Sequence, residues 1–427
     1  MRGRTIRRRA LAVACAVTVA LGLSACAPDT ITDLGAPAQV DAELNGDTQA
    51  DLEKAVTDAM KATGSSGAIV GVWVPWSGSW VTGLGTQSPT DDKPVAADMT
   101  FRVGDVTRAM ACDALYRIAA DGTVQLDDSV TEYVSGVPNL KDVTLRQLCD
   151  STSGLGSYQG QLQSMWLSNP ERVWDPRELA AFGLGLGVAG TPGSAYRDSD
   201  AGYILLGLAL QRATGKSAAD VLDDEVFSPL GLESTRLPEG RGRWADGAKS
   251  LQGWLSPRDS SGALKCTEPL DMTAVSTSTG YTDSGVVSTI TDLGRYTQAL
   301  ATGALGRDAE VWKDRWANPL PPSSTAAQWF RVTGGTYQAG SLVGQYGAVP
   351  GYMTAAFADP ETGLTVAVVL NNSAAGPAFV ANLAWELAAI ASKAPAASGQ
   401  EAPQFGLPWT AEQFHSAIQS SAVCPTS

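Results

Sequence analysis

Chemistry in this chain has to be built with almost no histidine. His415 is the only one among 427 residues, and it lies in a Ser/Ala/Pro-rich tail. A Ser-His-Asp triad, a Cys-His dyad or a His-ligated zinc site would each have to recruit that residue. There is no G-x-S-x-G elbow either. The residues left with chemical potential are carboxylates and arginines at short spacing. Asp105 and Arg108 stand three apart where a helical pattern begins, so they share a face, and an aspartate there suits the positive end of the helix dipole. Tyr196-Arg197-Asp198-Ser199-Asp200 places two more carboxylates beside a phenol. An aspartate is a weak nucleophile towards an amide, and an arginine holds its proton at any working pH, so the Asp105–Arg108 pair cannot deprotonate a nucleophile.

These residues need elements to hold them. Ala50 to Ala62 has helical spacing. Ala68 to Pro75 and Ser79 to Leu84 are apolar runs joined by Trp76-Ser77-Gly78, which predicts a hairpin. Helical patterns dominate from Asp105 to about Gly231. Apolar strands return at Ser341 to Val343, Tyr352 to Ala358 and Thr365 to Leu370. Pro377 to Ser392 reads as a last helix with proline in its first turn, and residues 393–427 as a mostly irregular tail. Strands at both ends with helices between them predict an α/β architecture, one sheet assembled from distant segments plus a helical lobe.

The amino terminus sets the expected compartment. Five arginines (Arg2, Arg4, Arg7, Arg8, Arg9) precede an apolar run from Ala10 to Leu23, too short for a comfortable membrane span and shaped like a signal core. Leu23-Ser24-Ala25-Cys26 then resembles the lipobox of bacterial lipoproteins, which implies a signal peptide over 1–25, lipidation of Cys26 and an extracytoplasmic protein anchored to the bacterial cell membrane. Arg8-Arg9 hints at a twin-arginine route. Residues 26–49 read as a flexible tether, ahead of a domain over 50–392. The net charge is −14; loss of five arginines and no acid takes it to −19, which argues against nucleic acid as a partner. Cys112, Cys149, Cys266 and Cys424 form an even set in an oxidising compartment, open to two disulfides or to buried free thiols.

Six blocks in order resemble the serine β-lactamase and D-Ala-D-Ala carboxypeptidase family, in its class C-like, penicillin-binding-protein-like branch. Leu126-Asp127-Asp128-Ser129-Val130 is similar to its "LDDPV". Thr144 to Leu148 with Thr152-Ser153-Gly154-Leu155 is similar to "TIRHLLTHTSGL", and Pro192-Gly193 with Ala201 to Gly207 to its "PG" and "AGYILLG". Phe227 to Leu232, Gly285 to Leu293 and Gly347 to Gly363 complete the set. The resemblance runs from about Gly67 to Ser392. It implies a β-lactamase/transpeptidase-like fold, a mainly antiparallel sheet flanked by helices, with an inserted helical lobe over about 106–284.

The family's catalytic letters differ. Its S-x-x-K positions hold Asp105 and Arg108. Its Y-x-N positions hold Asp198 and Asp200 without a gap, or Tyr196 in a slipped register. Its H-x-G or K-T-G motif reads Gln345-Tyr346-Gly347. The resemblance implies that Asp105, Arg108, Asp198 and Asp200 converge, with Arg108 clamped by the three aspartates. A cation site, or a relocated nucleophile at Ser151, Ser153 or Ser199, are the alternatives. Class A relatives that carry a cysteine seven residues after their nucleophile, bonded to one in a T-x-R-x-L-C helix, imply Cys112–Cys149, leaving Cys266 and Cys424 to pair. The expected function is a catalytically inactive homologue with a binding or regulatory role towards a cell-wall peptide or envelope protein. The competing expectation is a serine hydrolase, carboxypeptidase or esterase with an unconventional site. Neither calls for a cofactor or a metal.

Overall fold

In the computed structural model, which describes residues 31–239 and 244–425, one seven-stranded antiparallel sheet forms the backbone of the fold. Its strands are β1 (Gly67–Val74), β2 (Gly78–Gly85), β3 (Phe330–Thr333), β4 (Thr336–Ala339), β5 (Leu342–Val349), β6 (Tyr352–Ala358) and β7 (Thr365–Leu370), in the spatial order β2-β1-β7-β6-β5-β4-β3. The first hairpin therefore docks on the last strand, with Ala68 opposite Leu370 and Val72 opposite Val366.

The central strands are buried on both faces, so they read as unbroken apolar runs instead of alternating ones. Alternate side chains serve different cores. Val70, Val368, Met353 and Ala355 meet one face, together with α1 (Gly46–Thr63) and α7 (Pro377–Ala391). Ile69, Val369 and Ala356 meet the other, which packs on the lobe and on α6 (Ile290–Thr302). The lobe contains α2 (Val106–Ala120), α3 (Leu145–Cys149), α4 (Gln159–Ser168) and α5 (Asp200–Thr214). Cys112 on α2 is bonded to Cys149 on α3.

Two boundary expectations are corrected. Residues 31–45 are not a free tether. Thr32 N–H donates to Pro229 O at 2.8 Å, Leu44 N–H to Ser79 O at 3.1 Å, and Leu44 is buried. The helix then starts at Gly46, ahead of residue 50, because Asn45 caps it: its Oδ1 accepts from Thr48 N–H at 3.0 Å. Cys26 and the proposed signal peptide lie outside the described residues. The tail is mostly irregular, as expected, but it is not without structure. It forms α8 (Ala411–Ser420), opened by a Thr410/Gln413 capping box. Trp409 donates its indole N–H to Trp385 O at 3.0 Å, and Cys424 is bonded to Cys266. The tail is a strap on the domain because two tryptophans, a helix and a disulfide hold it.

Candidate functional site

Gly104, at φ +59°, turns the short strand Phe101–Arg102 into α2. Asp105 takes the N-cap position of that helix but makes no side-chain capping bond. Its carboxyl is left facing a cavity of about 530 Å³ that Arg108, Asp198, Asp200, Tyr196 and Tyr346 also line. Beneath it the backbone of β5 passes close. A Cβ at Gly347 would come within 2.4 Å of Asp105 Cγ, so glycine is required there.

One turn into α2, Arg108 is almost fully buried and spends its whole fork on carboxylates. Nη1 donates to Asp198 Oδ1 at 2.5 Å, Nη2 to Asp200 Oδ1 at 2.9 Å and Nε to Asp283 Oδ1 at 2.8 Å. Tyr203 lies beneath the guanidinium, its ring centre 5.0 Å from Cζ. Each acid is fixed by a different element. Asp200 opens α5, whose cap is Ser199, and its Oδ2 accepts the N–H groups of Tyr158 and Gln159 at 3.1 and 3.2 Å. Asp283 comes from the turn Tyr281–Ser284. Asp198 is the open member, with its side chain 54% exposed. The convergence of Asp105, Arg108, Asp198 and Asp200 is thus present, but the third clamp is Asp283, and Asp105 has no hydrogen bond or ion pair with any described residue.

Four carboxylates compete for one cation here, and two of them, Asp200 and Asp283, are buried. Burial and the other aspartates hold Asp105 well above the usual carboxylate range despite the pull of Arg108. Burial also raises Asp283. Burial and Asp283 together push Asp200 up to about 7. Burial would raise Asp198 too, but the charge and hydrogen bond of Arg108 outweigh it and Asp198 is lowered. Burial alone would lower the guanidinium, and the surrounding acids reverse that. Ser157 carries the same sign of retained protons. Its Oγ lies 2.8 Å from Asp198 Oδ2 and 2.9 Å from Asp200 Oδ1, and one hydroxyl proton cannot fill both contacts.

The remaining sequence expectations fall elsewhere. Gln345 is buried, donates to Gly335 O at 2.8 Å and does not line the cavity. Ser151, Ser153 and Ser199 are fully buried and absent from the cavity wall, so a nucleophile relocated to any of them is not supported. Tyr196 lines the cavity, with Oη 3.4 Å from Asp198 and 2.9 Å from Tyr337 Oη; burial holds its phenol well above the ordinary value. His415 sits on α8 against Glu386, Nδ1 to Oε1 3.0 Å. Among the described residues no cluster of His, Cys, Asp or Glu is arranged to hold a metal ion. Asp283 and Ser157 were missed. Asp283 stands two residues before the Gly285 block and Ser157 two after the Thr152 to Leu155 block, positions that carry no catalytic letter and so drew no attention.

The beta-lactamase profile matches residues 52–390, spanning both halves of the sheet and the whole site. The chain belongs to the beta-lactamase family. Among curated relatives, penicillin-binding protein 4* of Bacillus subtilis is 26% identical over 156 residues, 36% of this chain and 34% of that protein. A D-aminopeptidase of Cereibacter sphaeroides is 23% identical over 317 residues, 73% of this chain and 57% of the relative. The matched regions thus span about a third to under two thirds of these relatives. Solved structures with the same fold include a D-stereospecific amidohydrolase from Streptomyces sp., at TM-score 0.65 and 22% identity over 76% of this chain and 93% of that one. The octameric penicillin-binding protein homologue from Pyrococcus abyssi has TM-score 0.63 and 19% identity, over 78% and 75%.

Proposed function

We propose that this beta-lactamase-family protein is a non-hydrolytic member of the family, exported and lipid-anchored through Cys26, that uses the cavity to bind or regulate an envelope component. One observation carries the reading: Arg108, where the family places its lysine, is locked by three carboxylates. A guanidinium so held can neither accept a proton from a nucleophile nor move aside. Asp105, at the family's serine position, is a weakly nucleophilic acid, held above the usual carboxylate range by burial and the neighbouring aspartates. The described residues of the cavity wall include no lysine or histidine to replace the missing base.

A second reading, an unconventional serine hydrolase, carboxypeptidase or esterase, draws on Ser157, whose hydroxyl bonds to two carboxylates. Intact-mass spectrometry of the purified protein after treatment with a penicillin or a fluorophosphonate separates the two. No added mass, and no hydrolysis of nitrocefin or of a D-Ala-D-Ala peptide, is the expected result. A stoichiometric acyl or phosphonyl adduct overturns the proposal, and peptide mapping then shows whether Ser157 carries it.

A further inference from the structure

We infer that the face of the domain around Pro229 and Arg295 is the one turned to the lipid bilayer, and that the cavity is thereby held off the membrane. This rests on the reading of Cys26 as the lipid anchor and goes beyond it by fixing how the domain stands.

The chain that follows the anchor is docked from its first described residues. Thr32 donates its N–H to Pro229 O at 2.8 Å, and its own carbonyl accepts from Arg295 Nη2 at 3.2 Å. The same guanidinium donates through Nε to Leu230 O. Ile31 packs on Gly231, where an added Cβ would meet its side chain at 3.0 Å. Leu34 packs against the core shared by the lobe and the sheet. Farther on, Gln39 Nε2 donates to Val74 O and Val40 N–H to Pro75 O, each at 3.2 Å. The segment is therefore part of the domain, and its exit point is the surface at Pro229.

Covalent geometry sets the rest. Only Ala27, Pro28, Asp29 and Thr30 separate Cys26 from Ile31. Five peptide steps reach at most about 18 Å in any conformation. A compact chain of about 400 residues is roughly 55 Å across. A leash of a third of that width does not let the domain roll over and offer another face to the bilayer.

The cavity belongs to a different face. Gln159 and Gln163 of α4, Pro322 and Pro377 of α7 line it, and none of the residues that hold the docked segment does. The helix α2 measures the separation. Asp105 stands on the cavity at its start. Arg117, twelve residues and about 18 Å along the same helix, pairs with Glu225, which lies four residues ahead of Pro229.

The test uses the full-length lipidated protein in phosphatidylcholine vesicles whose headgroups carry a nitroxide quencher. A single fluorophore is attached through Glu233→Cys, exposed and two residues past Gly231, or through Gln163→Cys, exposed on the cavity rim. The label at position 233 should lose emission and the label at 163 should keep it. A flexible Gly/Ser insert of about 20 residues between Asp29 and Thr30 should bring the two labels level, because it frees the domain to turn. Equal quenching at the natural leash length, stronger quenching at 163, no quenching at either position on vesicle-bound protein, or a difference that survives the insert overturns the inference. The two readings fail separately. Intact mass that shows no lipid on Cys26 sinks the anchor and the orientation with it, whereas a lipidated protein with the wrong quenching order sinks the orientation alone.

Discussion

Replacing Arg108 with alanine removes the one cation that three carboxylates share. Two of its pairs, to Asp200 and Asp283, have both side chains 7% exposed or less. The third, to Asp198, is half open and adds little. Removing one side of a buried pair typically costs about 3–5 kcal/mol, since the partner stays buried and uncompensated. For about 400 residues the unfolding entropy is roughly 0.8 kcal/mol per degree, so the melting temperature should fall by about 4–6 °C. The loss should depend on pH. Asp105 and Asp283 are raised, and Asp200 sits at about 7, against an ordinary 3.8. A carboxyl raised by folding adds stability that is complete below its unfolded pKa and lost as pH rises through the folded one. Asp198 is lowered, so its contribution holds above its unfolded pKa and fades only as pH falls through the folded one. Between about pH 5 and about pH 8 the raised groups dominate, and wild-type stability should decline with rising pH. Without Arg108 the same acids repel unscreened, so the variant should lose more at about pH 8 than at about pH 5. Scanning calorimetry at both values, with chelator and with added calcium, checks this. A loss under about 1 °C, or the same loss at both pH values, refutes the clamp. A calcium-dependent gain in wild type would refute it differently, by showing that the acids hold an ion.

Restoring Asp105→Ser and Arg108→Lys together should leave nitrocefin hydrolysis undetectable, because Asp198, Asp283 and the turned-away Gln345 remain; measurable turnover by the double variant would mean that those two positions alone silence the site. Replacing both Cys266 and Cys424 by serine opens a loop whose ends are 158 residues apart, which chain entropy sets at up to about 5 kcal/mol. Thermal melts should show the loss, and limited proteolysis should first cut between residues 393 and 424; an unchanged cleavage pattern would mean that Trp409 and α8 hold the strap alone. Cys26→Ser should shift the protein from the membrane fraction to the soluble one in cell fractionation, and continued sedimentation with membranes argues against the lipid anchor.

Apolar runs with clear stops were easily read. The hairpin of β1 and β2, the strands β6 and β7 and the helix α7 follow their expected bounds closely, since burial on both faces writes itself into composition. β3 and β4 escaped notice. They are four residues each, joined at Gly334-Gly335 at one side of the sheet, too short and too mixed in polarity for a periodic pattern to mark them. α8 was hidden by its Pro/Ala/Ser/Gln-rich surroundings, although Thr410 with Gln413 is a capping-box signal that a closer look would catch. In the site, resemblance brought Asp105, Arg108, Asp198 and Asp200 together correctly. It could not say which acids touch the arginine. That depends on side-chain direction over a few ångströms, and the turn that carries Asp283 offers no periodic pattern.

The pairing of β1 with β7 has a consequence in time. Ala68 faces Leu370, so a residue made early waits for one made some three hundred positions later. Until then β1 and β2 form only an isolated two-stranded ribbon, which is marginal in water. The lobe, with its short-range helical contacts, can gather first, and the sheet closes only when nearly all of the chain has emerged. A chain stopped before β7 would therefore expose the apolar edge of β1 with nothing to cover it, and truncation at the far end should be felt first in the strand nearest the beginning.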